Sequence, residues 1–232
     1  ALSRSGNMHV VQCRADDRTP VRRAGHVAER VAVQIPNDAR SWLRAAKGFV
    51  LDMDGVLYRG STMIPEVPDF LNALQAAGVP YMMATNNSTQ SPDDYARKLA
   101  GMGIDVRPEQ VVTSGIAASD YVRRKYARGT NVHVLGMQAL RDAIFGDGYF
   151  VEVDQDAELV ISGANFRLVY DDLRRACLCI RAGAAYVATN GDATFPTEEG
   201  LIPGAGAIVA ALVAATGVQP VVVGKPSPVM IQ

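Results

Sequence analysis

Long apolar runs, an excess of either charge, and histidine are all scarce in this chain of 232 residues. No stretch approaches the ~20 consecutive apolar residues that span a bilayer. A net charge of −1 leaves no basic footprint for nucleic acid. Membrane and nucleic-acid partners are therefore set aside. The three histidines, His9, His26 and His133, stand singly, so they supply neither a metal-ligand set nor a hydrolase triad. His133, inside VHVLG, is expected as a packed or edge-facing strand residue. The three cysteines, Cys13, Cys177 and Cys179, are an odd number without metal-site spacing. Cys177 and Cys179 sit two apart in a helical pattern and so point to different faces. Free or buried thiols in a reducing cytoplasm are the expectation.

What is present is an ordinary globular composition, 48% hydrophobic and 20% charged, enough for one large domain or two modest ones. The first 46 residues differ, with eight arginines against four acids and weak apolar periodicity. They hold no apolar h-region of about 7–15 residues, and their acids argue against a transit peptide. Residues 1–37 are read as a peripheral or disordered extension. NDARSWLRAA then offers Asn37 or Asp38 as the N-cap of a short helix.

From residue 48 strands and helices alternate. GFVLDMD reads as a buried strand, PEVPDFLNALQAAG as a helix stopped by Gly78, and VPYMMATNN as a second strand with Met82 and Met83 in the core. SPDDYARKLAGMG is a helix capped by Ser91, and QVVTSG a third strand before the helix IAASDYVRRKYA. A second α/β segment runs NVHVLG, MQALRDAIFGDG, AELVISGA, YDDLRRACLCIRAG and AAYVATNG. GAGAIVAALVAATG gives one more helix and VQPVVVGKPSP one more strand. The two glycines of GAGAIV follow no clear strand and lack a third, so they do not make a dinucleotide site. This rhythm implies parallel sheets, whose ligands gather at the carboxyl ends of the strands.

Three strand ends carry unusual chemistry. Asp52 and Asp54 close the first strand, and two neighbouring carboxylates repel unless a divalent cation neutralises them or one holds a proton. The pair suits a hard cation such as Mg²⁺ and a phosphate bridging to it, with one carboxylate free to attack phosphorus while the other protonates a leaving alkoxide. Gly55 permits the turn that swings the second acid. The second strand ends in ATNNS, where Thr85 offers a hydroxyl and the following backbone N–H groups suit phosphate oxygens. The last strand ends in VVVGKPSP, where the ammonium of Lys225 can neutralise carboxylate and phosphate. Each motif taken singly reads as well as an acidic strand end, a polar loop or a surface turn.

In this order, DMDGVL, ATNNS and GKPSP resemble the haloacid dehalogenase superfamily of phosphohydrolases, closest to its NagD-type and p-nitrophenylphosphatase or phosphoglycolate-phosphatase-like members. The resemblance covers roughly residues 47 to 232. It implies an α/β fold with a parallel-sheet core over 38–129 and 204–232, and a smaller inserted α/β cap over 130–203. Only VLYRGSTMIP separates Gly55 from the next helix, so the other insertion point is too small for a domain. The resemblance also implies Mg²⁺-dependent hydrolysis of a small phosphomonoester. Asp52 would be nucleophile, Asp54 general acid and base, Thr85, Asn86 and Lys225 phosphate ligands, and Asp52 with the backbone of Asp54 metal ligands. It further implies a helix, a strand and a Gly-Asp…Asp motif after the lysine, so the core reads as incomplete at Gln232, with SPVMIQ as a first helical turn.

Two rivals stand beside this reading. A phospho-receiver module shares the parallel α/β fold and clustered aspartates, but carries its phospho-acceptor on a later strand. A catalytically impaired relative would act as a binding or structural protein, and a homo-oligomer is open to either. On the cap side, Asn190 and Asp192 follow the strand AAYVATNG, where they either contact substrate or form an ordinary turn. Substrate contacts act on the non-reacting part of the ester. Alanine at either position should then change the preference among esters more than the rate with a small activated ester, and an assay over an ester panel reads this directly.

Overall fold

The computed structural model describes residues 46–197 and 199–231. The arginine-rich extension, the helix expected at NDARSWLRAA, Cys13, His9 and His26 lie outside them. The described chain forms two compact units. The smaller holds residues 46–59 and 63–82, and the larger holds 60–62 and the residues from 83 onward. No helix among the described residues is long and apolar enough to cross a membrane.

In the smaller unit, β1 (Phe49–Leu51) is followed by a tight turn, the short strand β2 (Tyr58–Arg59), and helix α1 (Val67–Ala76). β3 (Thr62–Met63) lies between the last two. Val67, Leu71 and Leu74 recur at four and three residues and make the buried stripe of α1. The helix stops as expected near Gly78, which takes φ of +64° while Val79 N–H reaches back to the Leu74 carbonyl at 2.9 Å. Phe49 packs edge-on against Phe70 at 6.0 Å, and its N–H donates to the Pro80 carbonyl just before β4 (Tyr81–Thr85). Met83 is fully buried, but Met82 is 40% exposed, so only one of the two methionines is core. Successive strand residues face opposite sides, and the pair could not share one.

In the larger unit, β4 from Met83 onward runs parallel to β5 (Val111–Thr113), pairing Met83 with Val111 and Thr85 with Thr113. Helix α2 (Pro92–Gly101) connects them. Its first turn is a complete capping box: the Ser91 hydroxyl accepts from Asp94 N–H while Asp94 accepts from the Ser91 N–H at 2.9 Å. The strand expected over QVVTSG ends early. Thr113 accepts from Ile116 N–H at 3.2 Å and so caps α3 (Ser114–Arg123), which turns Ser114 and Gly115 into its first residues.

The second sheet of this unit has five parallel strands in the order β12-β9-β8-β6-β7. They are β6 (Asn131–Leu135), β7 (Val151–Glu152), β8 (Leu159–Ser162), β9 (Ala185–Ala188) and β12 (Val221–Val222). The central β8 is buried at every position, as expected where helices cover both faces. α4 (Gln138–Phe145), α5 (Tyr170–Arg181) and α6 (Ala205–Thr216) supply the cover. Ala176, Cys179 and Ile180 of α5 and Ile208 and Leu212 of α6 share a cluster with Val160 and Tyr186. The Tyr186 hydroxyl, whose pKa burial pushes up, meets Ser162 Oγ at 3.0 Å. His133 is a satisfied core residue, with Nδ1 3.0 Å from the Val153 carbonyl. A hairpin that hydrophobic periodicity does not reveal, β10 (Thr194–Thr197) with β11 (Gly200–Pro203), precedes α6. At the end of the chain, SPVMIQ forms a 3₁₀ turn over Pro228–Ile231, with Val229 N–H directed at Ser227 Oγ at 3.4 Å.

The capping box sets a stability prediction. Ser91→Ala should cost about 1 kcal/mol, read from urea unfolding at neutral pH. The Asp94 carboxyl is held below the usual range chiefly by the Ser91 N–H, then by the Ser91 hydroxyl, with Arg97 adding to both. A depressed folded pKa stabilises above the unfolded value of about 3.9, and that stabilisation is lost as pH falls through the folded value. The stability gap between the protein and Asp94→Asn should therefore narrow below about pH 4. A gap that stays constant with pH would remove Asp94 from this role.

Candidate active site

Alternation in exposure continues beyond β1. Leu51 and Met53 are buried, Asp52 is half-buried and Asp54 is exposed. The two acids are thus each more exposed than the apolar residue before them. Asp52 Oδ1 accepts from the Met53 N–H at 2.8 Å. The Met53 carbonyl then accepts from Val56 and Leu57, and Gly55 N–H donates to the Tyr58 carbonyl at 2.8 Å. This turn needs φ of +80° at Gly55, a conformation a side chain would strain. Gly55 thus supplies the turn expected after the acids.

The remaining candidate residues come together in the larger unit, where the ends of β4, β9 and β12 meet. Thr85 is 3% exposed, and its Oγ1 accepts from the Asn87 N–H at 3.1 Å, which bends the loop immediately after the strand. Lys225 is also buried, with Nζ donating to the Ala84 carbonyl at 2.8 Å. Asn86 lies at the centre. Its Nδ2 donates to Asp192 Oδ2 and to the Lys225 carbonyl, both at 2.9 Å. Its own carbonyl accepts from Asn190 Nδ2 at 2.6 Å and from the Ser114 hydroxyl. Asn190 Oδ1 in turn accepts from the Asp192 N–H at 3.0 Å. The buried Asn86 Oδ1 has no hydrogen-bond partner among the described residues. Leaving a buried acceptor unmade costs about 1–3 kcal/mol. The reverse orientation of the amide would cost more, because it sets that oxygen against a carboxylate and a carbonyl.

The sequence motifs point to Thr85, Asn86, Asn190, Asp192 and Lys225, and the fold gathers all five in one unit. Asp52 and Asp54 belong to the other. The motifs do not single out Ser114, Thr189 or Gly224. Gly224 N–H donates to the Thr189 carbonyl at 2.7 Å, and Thr189 Oγ1 lies 3.3 Å from Ser88 Oγ. A signal for this was present: Ala84-Thr85-Asn86 and Ala188-Thr189-Asn190 repeat one tripeptide at the ends of two parallel strands. Their shared chemistry marks two loops that end up hydrogen-bonded to each other.

With this geometry in hand, the chain can be set beside known proteins. Residues 49–149 match the model of a family described as haloacid dehalogenase-like hydrolase. An acid sugar phosphatase of Staphylococcus aureus is 36% identical over 189 residues, covering 82% of this chain and 73% of that protein. The crystal structure of a 4-nitrophenylphosphatase from Thermotoga maritima superposes with a TM-score of 0.76 at 35% identity, over 80% of this chain and 70% of that one. A glycerol phosphate phosphatase from Mycobacterium tuberculosis, crystallised with magnesium, gives a TM-score of 0.71 at 34% identity, over 78% of this chain and 55% of that one. The chain belongs to the haloacid dehalogenase-like hydrolases, in the phosphatase branch to which its three motifs pointed.

Gly224 offers a direct test of how closely the three loops are packed. A Cβ at this position would lie 2.5 Å from the Thr189 carbonyl oxygen, 2.7 Å from Asn86 Oδ1 and 2.9 Å from Asn190 Cβ. Backbone cannot yield as a flexible side chain would, so Gly224→Ala should lower stability by about 1–3 kcal/mol, the usual cost of overpacking. At Gly191, in the neighbouring loop, a Cβ would meet nothing within 4 Å, and Gly191→Ala should unfold with the parent. Thermal unfolding of the two variants checks this, and equal midpoints would show the loops to be loosely packed.

Proposed function

We propose that this protein hydrolyses small phosphomonoesters by phosphoryl transfer to Asp52. One observation supports the reading above others. Two carboxylates, one half-buried and one exposed, follow the first strand with Met53 buried between them, in a chain of the haloacid dehalogenase-like hydrolases. Asp52 attacks phosphorus, an Asp52 oxygen–phosphorus bond forms, and the ester P–O bond breaks. Asp54, protonated, gives its proton to the departing alkoxide. As a carboxylate it then takes a proton from the water that attacks the aspartyl-phosphate, which returns Asp52 and releases inorganic phosphate. Thr85 and Lys225, with the main chain of the Asn86 loop, hold the phosphoryl oxygens.

Asp52 and the main-chain carbonyl of Asp54 are oxygen donors of the kind that suits Mg²⁺. Bound there, Mg²⁺ would supply neutralisation of the carboxylate and phosphoryl charge. Among the described residues no group of three or more His, Cys, Asp or Glu side chains is gathered as a metal cage, so these two aspartates carry the assignment. The similar proteins are named for sugar phosphate, 4-nitrophenyl phosphate and glycerol phosphate hydrolysis. Read together, those names point to a phosphate monoester on a small uncharged group, with sugar and polyol phosphates first on a test panel.

Phosphate release from that panel, with and without Mg²⁺, tests the function. Asp52→Asn should abolish turnover while the fold stays intact, since it is nearly isosteric and removes a repelling charge. Retained turnover would overturn the mechanism. Asp54→Asn should slow the reaction by about 10²–10⁴-fold with alkyl esters and by less with 4-nitrophenyl phosphate, whose leaving group needs little protonation. Equal losses on both would take the acid role from Asp54.

A further inference from the structure

A substrate contact is one expectation for Asn190 and Asp192, and their geometry suits another role. Asn190 is 4% exposed. Both ends of its amide are engaged within the protein, Nδ2 by the Asn86 carbonyl at 2.6 Å and Oδ1 by the Asp192 N–H at 3.0 Å. A substrate group could reach it only by displacing one of these. Asp192 is exposed, yet its Oδ2 accepts from Asn86 Nδ2 at 2.9 Å. The two residues therefore grip Asn86 at both its main chain and its side chain, across 104 and 106 positions of sequence.

The grip closes into a ring. Asn86 Nδ2 also donates to the Lys225 carbonyl, Lys225 Nζ donates to the Ala84 carbonyl, and Gly224 N–H donates to the Thr189 carbonyl beside Asn190. Every link joins two of the same three strand ends, β4, β9 and β12. Removing one donor or acceptor leaves the others able to hold the loops near each other but no longer in one place. With both Asn86 amide hydrogens spent on Asp192 and Lys225, the Asn86 side chain is itself a strut of the ring, so phosphate contacts from this loop come from Thr85 and from main chain.

We infer that Asn190 and Asp192 are positioning residues, which fix the phosphate-binding loop 84–88 through Asn86 and do not contact the ester. The inference rests on the phosphatase reading of that loop. A displacement of about 1 Å at a reacting centre can cost about 10²-fold in rate, so Asn190→Ala should lower kcat by about 10²-fold with every ester alike, 4-nitrophenyl phosphate included. It should weaken competitive inhibition by inorganic phosphate and leave the ranking of esters unchanged. The conservative variant separates positioning by a hydrogen bond from an effect of charge. Asp192→Asn keeps an oxygen that can accept from Asn86 Nδ2 and should retain activity within a few-fold, whereas Asp192→Ala should fall with Asn190→Ala.

Steady-state kinetics over the ester panel, with calorimetric titration of inorganic phosphate into each folded variant, gives the decision. A changed ester ranking would restore the substrate-contact role and overturn the inference. So would unaltered kcat and phosphate affinity in Asn190→Ala, or equal damage in Asp192→Asn and Asp192→Ala. If Asn190→Ala fails to fold, the Asp192 pair decides alone. A parent protein that binds phosphate without hydrolysing any ester overturns the hydrolase reading instead, and the phosphate affinities of the variants still judge the loop.

Discussion

The main-chain carbonyl of Asn86 is the point on which the larger unit turns. It receives Asn190 Nδ2 and the Ser114 hydroxyl, and so ties the end of β4 to the end of β9 and to the first residue of α3. A carbonyl withdrawn from water needs a donor, and at part-buried Asn86 the donors come from segments remote in sequence, because the loop has left its own sheet ladder at Thr85. Much of the local structure answers to that demand. Thr85 bends the chain with its hydroxyl, Asn87 Oδ1 accepts from Thr89 N–H at 2.8 Å, and Gly224 carries no side chain where one would strike Asn86.

Close approach explains Gly163 and Gly206 better than turn-making does. A Cβ on Gly163 would stand 2.7 Å from Ser88 Oγ, and one on Gly206 would stand 2.4 Å from the Gly191 carbonyl oxygen. Gly206 N–H donates to the Asp192 carbonyl at 2.8 Å, so the start of α6 is docked against the loop that holds Asp192. The GAGA stretch, which lacks the pattern of a dinucleotide site, is there to let a helix N-terminus approach that loop. Parallel strands make such crowding unavoidable. All their carboxyl ends leave the sheet on one side, and the segments that follow must share that space.

The parts of this fold that were legible in the sequence are those that a short window encodes. The order of strands and helices, the Ser91 cap, the stop at Gly78 and the φ-permissive Gly55 depend on neighbours within a few residues; the cap and both glycines are found where expected, while the strand over QVVTSG gives up Ser114 and Gly115 to the helix after it. The acids and the lysine were legible for a different reason: charged residues directly after apolar strand runs stand out, and Lys225 is buried there. What stayed hidden is non-local. The place of β12 beside β9, the pairing of β10 with β11 and the two-residue β7 depend on hydrogen bonds between distant segments, which hydrophobic periodicity does not record. Asn190 shows the limit most sharply. Asn-Gly is a turn signal, and its residue type suits both a turn and a ligand contact, but only the fold reveals that the side chain is buried against a loop 104 positions away.

Charge is sparse in the buried part of this network. The buried groups that fix the loop after β4 are neutral hydroxyls and amides, namely Thr85, Ser88, Ser114, Thr189 and Asn190, with Lys225 as the cation among them. Asp192 is the carboxylate in the ring, and it is exposed, where water screens it. It also accepts from the Asn86 amide, a donor that directs part of the negative charge into the protein's own hydrogen bonding. After β1, Asp52 is half-buried and Asp54 exposed, with the apolar Met53 buried between them. Among these residues negative charge is thus kept out of full burial, where desolvation would penalise it, and the struts buried around Asn86 are neutral amides and hydroxyls.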